Sequence, residues 1–557
     1  MTDVIVARPV IDLADRFWQW FLARNPVYAT VLGDERYDDR LRDPGPEARA
    51  EEISALKGFL RDASQIDTVG LDQEDAITLD MLEVVCRIQL REHELNPQHF
   101  EALDQMAGPQ GLPGDLSRFQ RLDTDERVDR LIRRLELFPE FLAKHRANML
   151  DGIAAGRTAS AVVVGRVIEQ TRRAAAAAAD ESPILLAHPE LDDATRERIR
   201  AAIQEWVLPA LADHVAALEG YAPYARESEG VWALPDGREY YETMILATTT
   251  LEETPEALHE YGRAQLEIIR AETEQIVREL KFADVGAMRA ALAADPTNYA
   301  ASGAEIVERA TAQIAKANAA APRWFGRLPV APCEVRAVEP YQEKEAPPAF
   351  YFGPAPDGSR PGIYFVNTYQ PEQRPLYRLA TTTFHEATPG HHFQIALEGE
   401  LTDQPEFRRF GARLTGAAYA EGWGLYSERL ADEMGLFESA WERLGMLDAQ
   451  AWRAARLVVD TGMHAFKWTR AQSIELLVSI GLSQLEAETE TDRYICWPGQ
   501  ALAYMTGMRE IMALRRRLEE RDGDRFDIVA FHDELLGHGT LPLATLTHAL
   551  PDWVQPR

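Results

Sequence analysis

Residues 363–392 read IYFVNTYQPEQRPLYRLATTTFHEATPGHH, and the change of pattern within this stretch decides the fold. Its first six residues, Ile363 to Thr368, form a β-branched and aromatic run directly after the Gly/Pro-rich PAPDGSRPG (354–362), which predicts a strand. Val330–Val338 and Ala349–Phe352 are two more short extended candidates, and strand signals elsewhere are few. Around them nearly everything reads as helix. Apolar residues recur at helical spacing from Asp12 to Leu32 and around 49–64, 72–92, 124–150, 195–220 and 255–280. The alanine run Ala174–Ala179 reads as helix packed closely on a neighbour. Breaks fall at MAGPQGLPGD (106–115) and GVWALPDGREYY (230–241). The expected fold is mainly α, a large multi-helix body with a small antiparallel β-sheet at about 330–370. A helical N-terminal region, 1–230, and a C-terminal region, 231–557, are expected to form one integrated two-lobed unit.

The end of the opening stretch carries the chemistry. Three of the thirteen histidines fall within eight residues, His385-Glu386-Ala387-Thr388-Pro389-Gly390-His391-His392. Two imidazoles holding Zn²⁺, with an adjacent Glu as general base on water, is the logic of zinc hydrolases, but there the second His follows the first by four residues. Here that place is Pro389. On an unbroken helix His391 points about 240° away from His385, and His392 lies about 10.5 Å along the axis. Both nitrogens must come within ~2.0–2.1 Å of one metal, so a regular helix fails. Pro389 lacks the N–H that would bond back to His385, and Gly390 relaxes the backbone. A bulge at Pro389-Gly390 would leave H-E-A-T-H, so His385 and His391 are the expected ligands, with His392 as the substitute.

A third ligand is sought on another helix. In 414–430 the positions 414, 418, 421, 425 and 428 are Leu, Ala, Glu, Leu and Glu on one stripe, and 419, 423, 426 and 430 are Tyr, Trp, Tyr and Leu. Little of this helix suits water, so Glu421 and Glu428 read as buried carboxylates that need a metal or a partner charge. Glu421 is the expected third ligand; Glu428 is expected behind the ligands or on the substrate side. The alternative is a Glu421–Arg pair.

HEATPGHHFQ (385–394), AYAEGWGLYSERL (418–430), DTGMHAFKWTRAQ (460–472) and DRYICWPGQALAYMTG (492–507) together resemble the DUF885 family of bacterial proteins, grouped with gluzincin-type zinc metallopeptidases by an H-E-x-x-P-G-H-H motif. ARNPVYATVLGDERYDDRL (23–41), LPDGREYY (234–241) and ATTTLEETPEALHEYG (247–262) resemble the same family, so the likeness runs along nearly the whole chain. Glu421-Gly422 is similar to the third-ligand Glu-Gly of zinc aminopeptidases. The resemblance implies a metal-dependent peptidase body, and by fold analogy a central cleft that favours short peptides.

Supporting groups follow from the same segments. Asp460 and His464 are four apart on one helix face, so the acid can orient the imidazole as a transition-state donor or substrate ligand. Tyr504 or Tyr494 can supply a phenol donor to a developing oxyanion. Arg493 can pair with a substrate carboxylate, or with Glu488 or Glu490 instead. If Ile363–Thr368 is an edge strand, it can bind substrate backbone, with Asn367 touching substrate. His532 and His538 lie in a Leu-rich tail patterned for packing.

Composition narrows the classes. With 59 Lys plus Arg against 90 Asp plus Glu, the formal charge is −31, a poor match for a nucleic-acid binder. Cys86, Cys333 and Cys496 are far apart, with no C-x-x-C, against a disulfide framework or a Cys-ligated zinc. No stretch approaches the ~18 apolar residues of a membrane span, and acidic Asp3, Asp12 and Asp15 stand where a secretory signal needs a basic start. A cytoplasmic enzyme is expected, with one Zn²⁺ per chain and a peptide or small amide as substrate; no signal for an oligomeric state is present. The other readings are a metal-dependent hydrolase of a non-peptide amide or small metabolite, and a non-catalytic helical binding protein with a vestigial metal site.

Overall fold

In the computed structural model, which describes residues 8–339, 343, 346–355, 358 and 360–554, the chain is 71% helical. Helix starts follow the local chemistry. Asp72 accepts from the Asp75 N–H to cap Gln73–Glu94, and Thr254 and Ser439 cap Pro255–Glu279 and Ala440–His464 in the same way. Ser483 with Glu486 and Thr469 with Gln472 form capping boxes at Gln484–Cys496 and Arg470–Ser479. The periodic segment 124–150 divides at Leu137 into Asp125–Glu136 and Phe138–Ala154, with Pro139 in the first turn of the second helix.

Three strands are present among the described residues, β1 (Cys333–Ala337), β2 (Ala349–Phe352) and β3 (Gly362–Val366), in the order β1-β3-β2. The sheet is mixed, where an antiparallel one is expected from the sequence: β2 pairs with β3 antiparallel, but β1 runs parallel to β3, Cys333 opposite Gly362 and Ala337 opposite Val366. The connection from β1 crosses to the far edge before the chain returns through the middle. β3 is therefore central and paired on both sides, so its backbone is not free for β-addition as the edge-strand reading requires. Its side chains alternate into the core, Tyr364 and Val366 joining Ile306, Ala310 and Ile314 of the helix Gly303–Ala320.

The cores tie the two halves together. One buried cluster combines Met149, Val163, Val167 and Leu218 with Val459, Met463, Leu477 and Ile495, and another packs Phe407 against Phe17, Trp18 and Leu82. At the centre, Ala418–Glu433 and Ala503–Asp522 cross backbone to backbone. A Cβ on Gly507 would lie 1.8 Å from the Ala418 carbonyl oxygen, and one on Gly422 would lie 2.4 Å from Gly507 Cα. Gly507→Ala is thus expected to force these helices apart and cost roughly 1–3 kcal/mol, seen as a lower Tm in thermal denaturation.

Candidate metal and catalytic site

The helix Leu379–Glu386 stops directly after His385-Glu386, and a second helix, His391–Gly399, starts on the next histidine. The connection is a four-residue break between two helices, where the sequence suggests a bulge within one. Pro389 cannot continue the helical hydrogen bonding, and Thr388–Pro389 is cis. Gly390 turns so tightly that a Cβ there would stand 1.9 Å from the His385 carbonyl oxygen. The crossing helix Ala418–Glu433 holds this connection: the Trp423 indole N–H donates to Pro389 O at 2.9 Å, and the Ser427 hydroxyl donates to the same oxygen at 3.3 Å.

The break turns His391 back onto His385. Their ring centroids are 4.7 Å apart, nearly perpendicular. Glu421, in the first turn of the crossing helix, reaches both: its Oε2 is 3.6 Å from His385 Nε2 and 3.5 Å from His391 Nε2. One ligand atom from each of the three residues lies within 4.8 Å of the others. Around an ion with bonds of ~2.0–2.2 Å, tetrahedral ligand atoms stand roughly 3.3–3.6 Å apart. Both measured edges fall at that spacing, so these residues can hold such an ion. Gly424 makes the approach possible, since a Cβ there would sit 2.8 Å from His385 Cε1.

Electrostatics are set by burial and by the pairing of these groups. Burial pushes the Glu421 carboxyl up, but His385 and His391 outweigh it and hold it well below the usual carboxylate range. Burial likewise disfavours a charged His385, yet Glu421 and Glu428 push it up to about 9. Glu428, 1% exposed, lies behind His385 with Oε1 2.9 Å from Nδ1 and is itself held by Gln450 at 3.3 Å. That contact fixes the ring so that Nε2 faces Glu421. Glu428 therefore sits behind the candidate ligands, on the far side of His385 from Glu421.

Glu386 follows His385 at the helix end and is half-buried. The Tyr504 ring stacks on His385 at 6.3 Å, and its phenol makes no hydrogen bond among the described residues. Burial and the neighbouring Glu421 push that phenol up, so it stays protonated as a donor. His392 turns away: its Nδ1 lies 2.8 Å from the Tyr351 hydroxyl on β2, and burial pushes the ring down to about 4.

Four expected site residues are not free for the roles assigned. His464 is buried with both nitrogens committed, Nδ1 accepting from the Val231 N–H at 3.2 Å and Nε2 donating to Tyr494 O at 3.0 Å. Burial pushes it down to about 3, so it carries no charge to lend. Asp460 does not orient it; that carboxylate accepts from the Tyr241 hydroxyl at 2.5 Å and from the Gly499 N–H at 3.0 Å. Asn367, 2% exposed, braces the chain before β2 by donating to Glu343 O and Ala346 O, at 2.7 and 3.0 Å. The Tyr494 hydroxyl donates to Glu490 at 2.7 Å and accepts from Arg456 at 2.9 Å. Arg493 spends its fork on Glu490 at 2.8 Å and Gln500 at 3.2 Å, the structural alternative. His532 and His538 are engaged away from the site, with Tyr426 and Trp324 and with Glu74 and Glu534 respectively.

Fold and site together define a mainly helical body around a His₂Glu cluster with a neighbouring glutamate. The chain belongs to the DUF885 family, described as bacterial proteins of unknown function, whose model matches residues 26–550. It is similar over 98% of both chains to the crystal structure of "the putative lipoprotein from Colwellia psychrerythraea", with 28% identity and a TM-score of 0.92. A "putative lipoprotein of unknown function from Shewanella oneidensis" shares the fold at a TM-score of 0.78 and 19% identity, over 97% of this chain and 99% of that one. No curated protein matches. Among the described residues no helix is long and apolar enough to cross a membrane.

Proposed function

We propose that this chain is a zinc-dependent hydrolase of peptide bonds, acting on short peptides. The observation that carries the reading is the convergence of His385, His391 and Glu421, with Glu421 at tetrahedral spacing from both imidazoles and a further carboxylate, Glu386, directly beside His385. A purely structural zinc site has no use for that extra acid. Bound Zn²⁺ supplies Lewis acidity toward a carbonyl and toward water. Glu386 takes the proton of the attacking water and passes it to the leaving amine. Tyr504 donates its phenol hydrogen to the oxygen on which charge develops. Glu428 keeps His385 in one tautomer and one orientation. The three free cysteines support a reducing compartment, and the cytoplasm is the proposed location.

The test is incubation of the zinc-loaded protein with a library of tri- to hexapeptides, read by mass spectrometry. Cleavage that is lost with a chelator and restored by zinc is the expected result; intact peptides throughout sink the peptidase reading. Glu428→Gln is expected to weaken zinc binding by about 10- to 100-fold, measured by chelator competition.

A further inference from the structure

Next to the candidate site lies a group of cations that the proposed mechanism does not use. Arg453 and Arg456 project from the helix Ala440–His464, and Arg493 from Gln484–Cys496. The Arg456 guanidinium stands 4.5 Å, and that of Arg453 5.6 Å, from the centre of the Tyr504 ring, which itself stacks on His385. Among the described residues one carboxylate lies within ion-pair distance of this group. Glu490 lies 3.1 Å from Arg456 and 2.8 Å from Arg493, and also accepts from Tyr494. These two arginines outweigh its burial and hold Glu490 down at about 2, so it stays an anion.

Arg453 has no carboxylate within 4.0 Å among the described residues; its guanidinium lies over the Trp452 and Tyr504 rings. Arg453 Nε, Arg456 Nη1 and Arg493 Nε are all buried without a hydrogen-bond partner, and Arg456 as a whole is 4% exposed. Glu490 is thus shared by Arg456 and Arg493, and Arg453 keeps no ion pair of its own among the described residues, in a partly buried place. Buried charge of this kind needs a counter-charge. The arginine fork matches the planar geometry of a carboxylate.

Distance sets where that carboxylate belongs. The Tyr504 ring lies 6.3 Å from His385 and 5.6 Å from the Arg453 guanidinium, and an extended peptide advances ~3.3–3.6 Å per residue, so a group bound at Arg453 lies within about three residues of a carbonyl at His385. We propose that Arg453, backed by Arg456, receives a substrate carboxylate within about three residues of the bond presented to the His385–His391–Glu421 site. This rests on the peptidase reading for the position of the scissile bond, but the binding of the carboxylate can be measured without cleavage. The carboxylate is either the C-terminal one of a short peptide or an acidic side chain.

The test is calorimetric binding to the zinc-loaded protein of three probes: trialanine, its C-terminal amide, and Ala-Glu-Ala amide. The expected result is that one carboxylate-bearing probe binds roughly ten- to a hundred-fold more tightly than trialanine amide. Trialanine winning identifies the C-terminal carboxylate, and Ala-Glu-Ala amide winning identifies an acidic side chain. Arg453→Gln should erase the preference while leaving binding of trialanine amide and zinc content unchanged, and Arg453→Lys should restore part of it. Equal affinities for all three probes, a preference that survives Arg453→Gln, or no binding of any probe would overturn the proposal. A carboxylate preference without cleavage keeps this inference and removes the peptidase reading; cleavage without the preference does the reverse.

Discussion

Glu386→Gln is expected to retain its metal and lose turnover by roughly 10²- to 10⁴-fold, the range of a general base. The substitution keeps size and shape, and among the described residues Glu386 makes no ion pair that the amide would break. The neighbouring His385 is oriented from behind by Glu428 and faces Glu421 in front, and neither contact involves Glu386. The loss should therefore appear in kcat with KM little changed, measured on the best peptide from the library beside zinc content. Retained activity with full zinc would remove Glu386 from the mechanism. Lost zinc would show that it holds the site together and not the proton.

The second large effect separates two adjacent histidines. His391→Ala is expected to abolish zinc binding, because it removes one of three converging ligand atoms, whereas His392→Ala should keep one zinc per chain. The physical ground is direction. His391 heads its helix with Nε2 turned toward Glu421, while His392 is directed into the sheet, against Tyr351. A Cβ on Gly362 of β3 would lie 2.6 Å from His392 Nδ1, so that ring fills the space above the sheet. His392→Ala is expected to cost about 1–3 kcal/mol of stability, as loss of a buried hydrogen-bonded ring does. Mass-spectrometric metal content and thermal denaturation on both variants check the two halves of this expectation.

Which parts of this were legible in the sequence follows from how local each signal is. Ala349–Phe352 is a strand with the bounds its pattern implies, and Pro255–Glu279 matches the periodic segment 255–280. That His385, His391 and Glu421 come together was legible for a similar reason: a proline in a histidine cluster breaks the helix so that the second histidine can turn back, and a Glu in a Gly/Ala/aromatic helix has nowhere to face but a partner. The mixed sheet was not legible, because strand direction depends on a crossover and not on the residues of β1.

His464 and Asn367 mislead for a different reason. A buried imidazole or amide looks functional in a sequence, but here Val231 N–H, Tyr494 O and the carbonyls before β2 satisfy both side chains. The i,i+4 spacing of Asp460 and His464 predicts a pair only if neither finds a better partner, and Asp460 finds Tyr241 and Gly499. Arg453 and Arg456 lie outside the motifs that mark the site in the sequence. Their signal was present, two arginines three apart in the otherwise apolar AWRAARLVV (451–459), on a helix whose remaining residues there suit a core.

The measurement that tests the central claim most directly is the zinc content of the purified protein beside Glu421→Ala. One zinc per chain in the wild type and none in the variant is the predicted result. No zinc in the wild type, even after the metal is added back, or an equal amount in both proteins, would contradict the account.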